Sequence, residues 1–232
     1  AGMAPIGMTA WHGSPHKFSK FSLDKIGTGE GAQAYGHGLY LAESPAVADD
    51  YAKKLSAVTL DLDNGYHAID PQGNAIKSAD GKVKYFPNEM DAKYEAGNLY
   101  KTDIPDEAVA RFLDWDKPLS QQSEEVRNLI AQRGPLDDPR TFGFKNPEKV
   151  KGADIYSILA RGSQAKPGIG EAGVSEAMRQ AGIPGIRYLD GGSRSAGQGS
   201  SNFVAFDPEM IRILERNGQA TGLEPWKPGE YR

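Results

Sequence analysis

Three consecutive residues near the start of the chain, His12, Gly13 and Ser14, are of types that could hold a polar ligand. Glycine has no side chain, so a ligand can hydrogen-bond directly to the backbone of Gly13. A histidine beside it can hold a sugar hydroxyl. The rings of two later tyrosines, Tyr40 and Tyr51, could enclose a flat aromatic ligand between them. These residues predict a pocket for a planar ring that carries an amide and is joined to a sugar.

The elements that would position these residues are predicted from local patterns. Residues 6–12 form a short apolar run that predicts a strand ending at the histidine. Residues 38–42 alternate as a second strand, and a helix is expected over 45–55. Tyr40 is therefore expected in a strand and Tyr51 on the helix that follows it.

The composition argues against several classes of protein. The 232 residues carry a formal net charge of −4, so no overall basic field draws the chain to nucleic acid. There is no cysteine, which removes disulfides and thiolate chemistry and fits a reducing cytosol. Four histidines without a paired-histidine motif argue against a metal site. No apolar run approaches a membrane span and no signal pattern opens the chain, so we expect a cytoplasmic protein without a membrane partner.

The order of predicted elements favours one α+β domain. Strands and helices are mixed without a regular strand–helix–strand repeat, which argues against a doubly wound sheet. We expect a single domain over 1–217, with a region of helices and loops inserted at about 63–160. A hairpin is expected around Lys82 to Phe86, and 218–232 is predicted to be a flexible tail.

A glycine- and serine-rich segment, GGSRSAGQGSS at 191–201, has the composition of a linker. It lies between two predicted strands, 183–189 and 202–206. We expect a mobile loop that delivers residue 202 into a cleft.

These motifs, in this order, resemble the ADP-ribosyltransferase fold of the diphtheria-toxin and poly(ADP-ribose) polymerase branch. The chain is more closely similar to the ADP-ribosyltransferase-like domains in large polyvalent proteins of phages and conjugative elements. The likeness begins with His-Gly-Ser, then Gly-x-Gly-x-Tyr-x-Ala at 36–42 and a serine seven residues before Tyr51. It covers most of 11–215 and includes GNLY at 97–100, LDWDKPL at 113–119, AGIPGIRYLD at 181–190 and NFVAFD at 202–207.

The resemblance implies a split β-sheet core with inserted helices, and NAD as the substrate bound in it. His12 would bond the 2′-OH of the adenine-side ribose, and the Gly13 backbone would hold the nicotinamide carboxamide. Ser14 would support a ribose. Tyr40 and Tyr51 would stack on the nicotinamide from two sides, so that the glycosidic bond is strained and exposed.

The resemblance also assigns the chemistry to His12, Tyr40 and Asn202, and adds Ala42 and Ser44 to the residues that bind NAD. Ser44 is followed by proline, so its hydroxyl is also expected to cap the helix.

Asn202 is where the sequence departs from active members of the polymerase branch, which carry a glutamate at the start of this strand. The glutamate holds the nicotinamide-ribose hydroxyl and stabilises the positive charge that grows as nicotinamide leaves. An amide accepts a hydrogen bond but brings no charge. Its electrostatic stabilisation of the transition state would be weaker by an amount on the order of several kcal/mol. Glu30, Glu43 and Asp190 are the candidates for a substitute acid.

The leading hypothesis is a mono-ADP-ribosyltransferase that moves ADP-ribose from NAD to a protein or nucleic-acid acceptor. The resemblance implies an effector associated with a phage or mobile element, within a larger polypeptide. One alternative is an NAD glycohydrolase toxin, in which water is the acceptor. Another is a catalytically silent module that binds NAD or ADP-ribose, which the amide at residue 202 motivates. The sequence leaves these three open.

Overall fold

The computed structural model describes residues 7–22, 34–70, 73–78, 80–132, 145–164 and 171–231, with backbone only at 159–164 and 171. In this part of the chain there are ten strands, with helices between some of them. The strands are β1 Met8–Ser14, β2 Leu39–Ala42, β3 Ala57–Asp61, β4 Gly65–Ile69, β5 Asn98–Ile104, β6 Leu113–Asp114, β7 Gly185–Leu189, β8 Ser201–Ala205, β9 Arg212–Arg216 and β10 Gln219–Ala220.

Seven α-helices lie between the strands within the same described ranges. They are α1 Pro45–Leu55, α2 Glu89–Ala96, α3 Asp106–Val109, α4 Glu124–Gln132, α5 Gly152–Gln164, α6 Glu171–Gln180 and α7 Gly191–Arg194. Within these ranges, no helix combines the length and the apolar character that crossing a membrane requires.

One large mixed sheet organises the fold. Its strand order is β10-β9-β5-β1-β2-β8-β7-β6, and β3 pairs with β4 in a separate hairpin. Neighbouring strands run antiparallel except β6 and β7, which are parallel. The predicted α+β class is confirmed at this level. Part of the insertion expected at 63–160 belongs to the sheet itself, because β5 lies between β1 and β9.

Buried side chains form two clusters, one on each face of the sheet. The helical cluster joins strand residues to α4, α5 and α6; it includes Val126, Ile130, Ile155, Val174, Met178, Ile186, Tyr188 and Val204. The opposite cluster includes Ala10, Phe21, Leu41, Tyr100, Phe203 and Ile213. Successive residues of a strand point to opposite faces, which is why Phe203 and Val204 enter different clusters.

The contact between β1 and β2 is short. Strand β1 pairs with β5 along its whole length, from Met8 opposite Ile104 to Ser14 opposite Asn98. It pairs with β2 at a single register position, Trp11 opposite Ala42. The two strands therefore separate immediately beyond this point.

Helix α1 packs directly onto the backbone of β1. Its bounds match the predicted 45–55, and Ala48 and Ala52 are its buried residues. A Cβ placed on Gly13 would lie 1.7 Å from the Ala48 carbonyl oxygen. Only glycine permits this approach. The predicted cap is wrong in one respect: Ser44 occupies the N-cap position, but its hydroxyl makes no capping hydrogen bond.

The turn-rich segment after β4 differs from its prediction. Residues 82–86 contribute isolated bridges to Lys77 and Tyr66 rather than a hairpin. Helix α2 was not expected there. Its buried residues are Ala92 and Ala96, so it lacks the broad apolar stripe that signals a helix in a sequence.

The segment expected to be a flexible tail packs against the sheet instead. The Trp226 backbone N–H donates to the buried Asp103 carboxylate at 2.6 Å, and its indole N–H donates to the Met210 carbonyl at 2.9 Å. The Arg212 guanidinium lies 3.5 Å from the centre of the Trp226 ring. The aromatic side chain anchors this segment, and composition alone did not reveal these partners.

Replacing Gly13 by alanine should destabilise the fold, because the added methyl group would meet the α1 backbone. We expect Gly13→Ala to lower the free energy of unfolding by at least about 1–3 kcal/mol, measured by denaturant titration. Gly191→Ala is the matched control, since a Cβ there meets nothing within 4 Å. Equal stability of Gly13→Ala and the wild type would contradict the close contact.

Candidate functional site

His12 is held in one tautomer. Its Nδ1 lies 2.8 Å from the Tyr40 carbonyl oxygen, which can only accept, so Nδ1 carries the proton and donates. The ring contacts Phe21 edge to face, with centroids 5.0 Å apart. Burial lowers the pKa of His12, and the bond to the Tyr40 carbonyl offsets only part of that effect. The imidazole is therefore neutral at pH 7 and presents Nε2 as an acceptor.

Tyr40 is fixed at its backbone and at its hydroxyl. The carbonyl accepts from His12, while the phenol donates to the Gly36 carbonyl at 2.9 Å and accepts from the Tyr35 N–H at 3.2 Å. Its ring meets that of Tyr188 edge to face, with centroids 6.4 Å apart. Tyr40 therefore offers a rigid aromatic surface beside the gap between β1 and β2.

Tyr51, unlike Tyr40, has a largely exposed side chain. It lies on α1 with 54% of its surface exposed, and it makes no hydrogen bond or ring contact with any described residue. It is near enough to Tyr188 to contribute to the raised pKa of that phenol. The ring of Tyr51 is therefore available to a ligand at the edge of the same region.

Asn202 lies in a row of residues that crosses the sheet. Trp11 pairs with Ala42, Ala42 pairs with Asn202, and Asn202 pairs with Tyr188. Paired residues share a face, so these four side chains project from the same side. The side chain of Tyr40, two residues before Ala42, also projects from this side.

His12 projects from the other face, because it directly follows Trp11 in β1. Its contacts agree, since Phe21 and Tyr100 belong to the opposite cluster. The structure thus groups Tyr40 with Asn202 and places the His12 ring across the sheet from them. His12 remains linked to Tyr40 through the hydrogen bond at the separation of β1 and β2.

Three other predicted NAD-binding residues have structural surroundings that the sequence did not reveal. Ser14 is buried, and its hydroxyl accepts from the His16 N–H at 3.1 Å. Ala42 is buried within the cross-sheet row. Gly13 lies beneath α1, so its lack of a side chain has a packing reason in addition to the predicted one.

The candidate acids are engaged or lie outside the described residues. The Glu43 carboxylate accepts from the Ser201 N–H at 2.8 Å. The Asp190 carboxylate accepts from the Ser193 N–H at 2.7 Å and from the Ser200 hydroxyl. The Ser200 hydroxyl is the main reason that the pKa of Asp190 lies below its usual range. Glu30 is not among the described residues.

The segment at 191–201, expected to be a mobile linker, is tied at several points. Asp190 caps α7, and its backbone N–H donates to the Ser200 carbonyl at 3.1 Å. Arg194 donates to Asp116 at 3.1 Å and to the Tyr35 hydroxyl at 2.6 Å. Composition indicated a spacer because glycine and serine dominate it, but the partners come from distant parts of the chain.

Tyr188 and Tyr35 are not among the site residues that the sequence predicts. Their rings stack at a centroid distance of 3.8 Å with an interplanar angle of 13°. Tyr188 is adjacent to Asn202 only because β7 and β8 pair in this register. The alternation in β7 could have indicated that Tyr188 shares a face with Ile186. Its neighbour on β8 could not have been identified in this way.

No group of three or more histidine, aspartate or glutamate side chains suited to a metal ion occurs among the described residues. Comparisons of the chain with family models, with curated proteins and with solved structures find no match.

The lowered pKa of His12 predicts how acid affects stability. The unfolded chain, with a histidine pKa near 6.5, takes up the proton first. The free energy of unfolding should therefore fall as the pH drops below 6.5, and this contribution should level off once folded His12 is protonated. Denaturant titrations between about pH 8 and pH 5 should show a smaller fall for His12→Gln than for the wild type. Identical pH dependence in the two proteins would contradict a neutral imidazole whose pKa is lowered in the folded state.

Proposed function

We propose that the chain binds NAD where β1 and β2 separate and transfers ADP-ribose to a macromolecular acceptor. The observation that carries the proposal is the arrangement of His12, Tyr40 and Asn202 on three adjacent strands. His12 is hydrogen-bonded to Tyr40, and Asn202 lies in the next strand on the Tyr40 face. In the resemblance, these are the three positions to which the chemistry is assigned.

The chemical state of each group suits its proposed contact. Neutral His12 with Nε2 as an acceptor matches a ribose hydroxyl, which donates. Tyr40 is a fixed ring and Tyr51 an available one, a combination that suits a nicotinamide ring entering between them. A split sheet of the ADP-ribosyltransferase type is part of this proposal, supported by the single paired position between β1 and β2.

The proposed reaction breaks the bond between the ribose C1′ and the nicotinamide nitrogen. Nicotinamide leaves with the bonding electron pair, and positive charge grows on the ribose ring. A nucleophile of the acceptor then forms a bond to C1′ and loses its proton. Asn202 would orient a ribose hydroxyl through its carbonyl oxygen, without the charge stabilisation that a carboxylate supplies.

A second candidate is a module that binds NAD or ADP-ribose without turnover. The observation that favours it is the state of the nearby acids. Glu43 is bound to the Ser201 backbone, and Asp190 is bound within its own loop. Of the candidate acids that the structure describes, each already has a structural hydrogen bond.

Three measurements separate these functions: calorimetric binding of NAD, release of nicotinamide, and labelling of an acceptor. With labelled NAD and a cell lysate, the transferase should label a discrete acceptor, and His12→Ala or Tyr40→Ala should abolish the label. Nicotinamide release without any acceptor would indicate water as the acceptor. Binding without release would indicate the silent module. Absence of NAD binding would overturn the proposed site.

Tyr51 and Tyr94 offer a matched pair of variants. Both are exposed tyrosines on neighbouring helices, at 54% and 58% of their surface. Stacking on nicotinamide is worth about 1 kcal/mol beyond area burial, so Tyr51→Ala should weaken NAD binding at least roughly fivefold. Tyr94→Ala should leave the calorimetric dissociation constant unchanged. Equal effects of the two substitutions would remove Tyr51 from the proposed site.

Asn202→Glu should accelerate nicotinamide release, because a carboxylate would stand where positive charge develops. The expected gain is about 10-fold to 1000-fold in the first-order rate with bound NAD. Asn202→Gln is the control, since it adds the same length without the charge. A rate for Asn202→Glu at or below that of Asn202→Gln would show that this side chain does not face the reacting ribose.

A further inference from the structure

Strand β3 has one edge that no other strand covers in the described part of the chain. It pairs with β4 along its whole length, and the two strands form a sheet of their own. The far edge of β4 is occupied, because Phe86 and Ala75 bridge to it. None of the described residues bridges to the outer edge of β3. This edge is therefore open to a further strand.

The hydrogen bonds of β4 show which groups of β3 face the open edge. Tyr66 exchanges both backbone hydrogen bonds with Phe86, at 2.9 and 2.7 Å, and the Ala68 carbonyl accepts from a backbone N–H on the same side at 2.9 Å. Residues that face each other in an antiparallel pair alternate between bonding each other and pointing outward. Leu60 lies opposite Tyr66 and therefore points its N–H and C=O away from β4. Val58, opposite Ala68, does the same.

The four outward backbone groups of Val58 and Leu60 have no hydrogen-bond partner among the described residues. Folded proteins commonly protect such an edge with lysine, proline or a bulge, because it is a template for pairing with another chain. Strand β3 reads AVTLD and pairs with β4 in an unbroken register, so it has none of these three protections. The Leu60 side chain is half exposed. Helix α2 contacts both strands of the hairpin, which holds β3 extended before any partner arrives.

The sequence of β3 is complementary to itself in one antiparallel register. When Thr59 lies opposite its counterpart in a second copy, Val58 lies opposite Leu60, and Ala57 lies opposite Asp61. The outward groups of Val58 and Leu60 then bond each other, which gives four N–H···O=C hydrogen bonds across the two edges. The same two residues form apolar cross-strand pairs on one face. Each Asp61 meets an alanine rather than a second carboxylate, so like charges do not oppose one another.

We propose that a second copy of this chain binds at the open edge of β3, so that two hairpins join in one four-stranded antiparallel sheet. The twofold axis passes between the two Thr59 residues. Centring the pair on Val58 or on Leu60 instead would place an outward residue opposite a position outside β3, where the strand has ended. Strand β3 contributes no residue to the proposed NAD site, so this inference does not depend on the proposed function.

Charges introduced at Thr59 test the register. In sedimentation velocity at micromolar concentration, the wild type should reach twice the 25.0 kDa of one chain. Thr59→Lys and Thr59→Glu each place like charges directly opposite, and each should raise the dimer dissociation constant at least about fivefold. An equal mixture of the two variants should restore association, because opposite charges then meet. Gln121→Lys and Gln121→Glu, at an exposed position outside β3, are the matched controls and should leave the dissociation constant unchanged.

Leu60→Pro tests the backbone bonds. Proline removes an N–H that points outward, while the bonds between β3 and β4 keep their donors and acceptors. By symmetry, two of the four new hydrogen bonds are lost, so the dissociation constant should rise about tenfold or more. Leu60→Ala removes the same apolar side chain but keeps the N–H, and it should weaken the dimer less than Leu60→Pro. Thermal unfolding checks each variant, and the Thr59 variants decide the question if Leu60→Pro does not fold.

The outcomes either support or overturn the pairing of β3 with its copy. Association that is weakened in both Thr59 variants and restored in their mixture supports it. A wild type that stays monomeric up to its solubility limit overturns it and leaves the edge to a strand of a different protein. A dimer that is insensitive to the Thr59 substitutions also overturns it, because the interface would then lie elsewhere. Failure of the mixture to associate overturns the register centred on Thr59.

Discussion

The hydrogen bond from the His12 imidazole to the Tyr40 carbonyl is the interaction on which the candidate site depends. It links β1 to β2 just beyond their single paired position, where a side chain takes the place of a backbone partner. It fixes the tautomer of His12 and so determines that Nε2 accepts. It also joins the two faces of the sheet, since the His12 ring lies on one side and the Tyr40 ring on the other.

The close packing of helix α1 on Gly13 also shapes the candidate site. Helix α1 approaches β1 so closely that no side chain fits between them, and this places Tyr51 at the rim of the same region. Tyr40, by contrast, is held by its own hydroxyl and by Tyr188. One aromatic surface is thus held by hydrogen bonds and ring contacts, whereas the other is open to solvent.

Local patterns predicted the elements well where the pattern was strong. The helix predicted over 45–55 has the expected bounds, because proline starts it, and the strand predicted from alternation at 38–42 is found at Leu39–Ala42. The sequence also selected Tyr40 and Asn202, which the sheet brings to one face. It could not predict the pairing of Tyr188 with Asn202, or the packing of Trp226 on the sheet. Both depend on long-range contacts rather than on local periodicity.

The strand order has a consequence for how the protein folds. Strand β8 comes late in the chain, yet it pairs with β2 from near the beginning and with β7. Contacts between residues distant in sequence form slowly, because the chain loses the entropy of closing a long loop before the contacts can stabilise it. During synthesis, β1, β2 and α1 emerge long before β8 can complete the sheet. We therefore expect the region around Asn202 to assemble in the last steps of folding, when β8 pairs with β2.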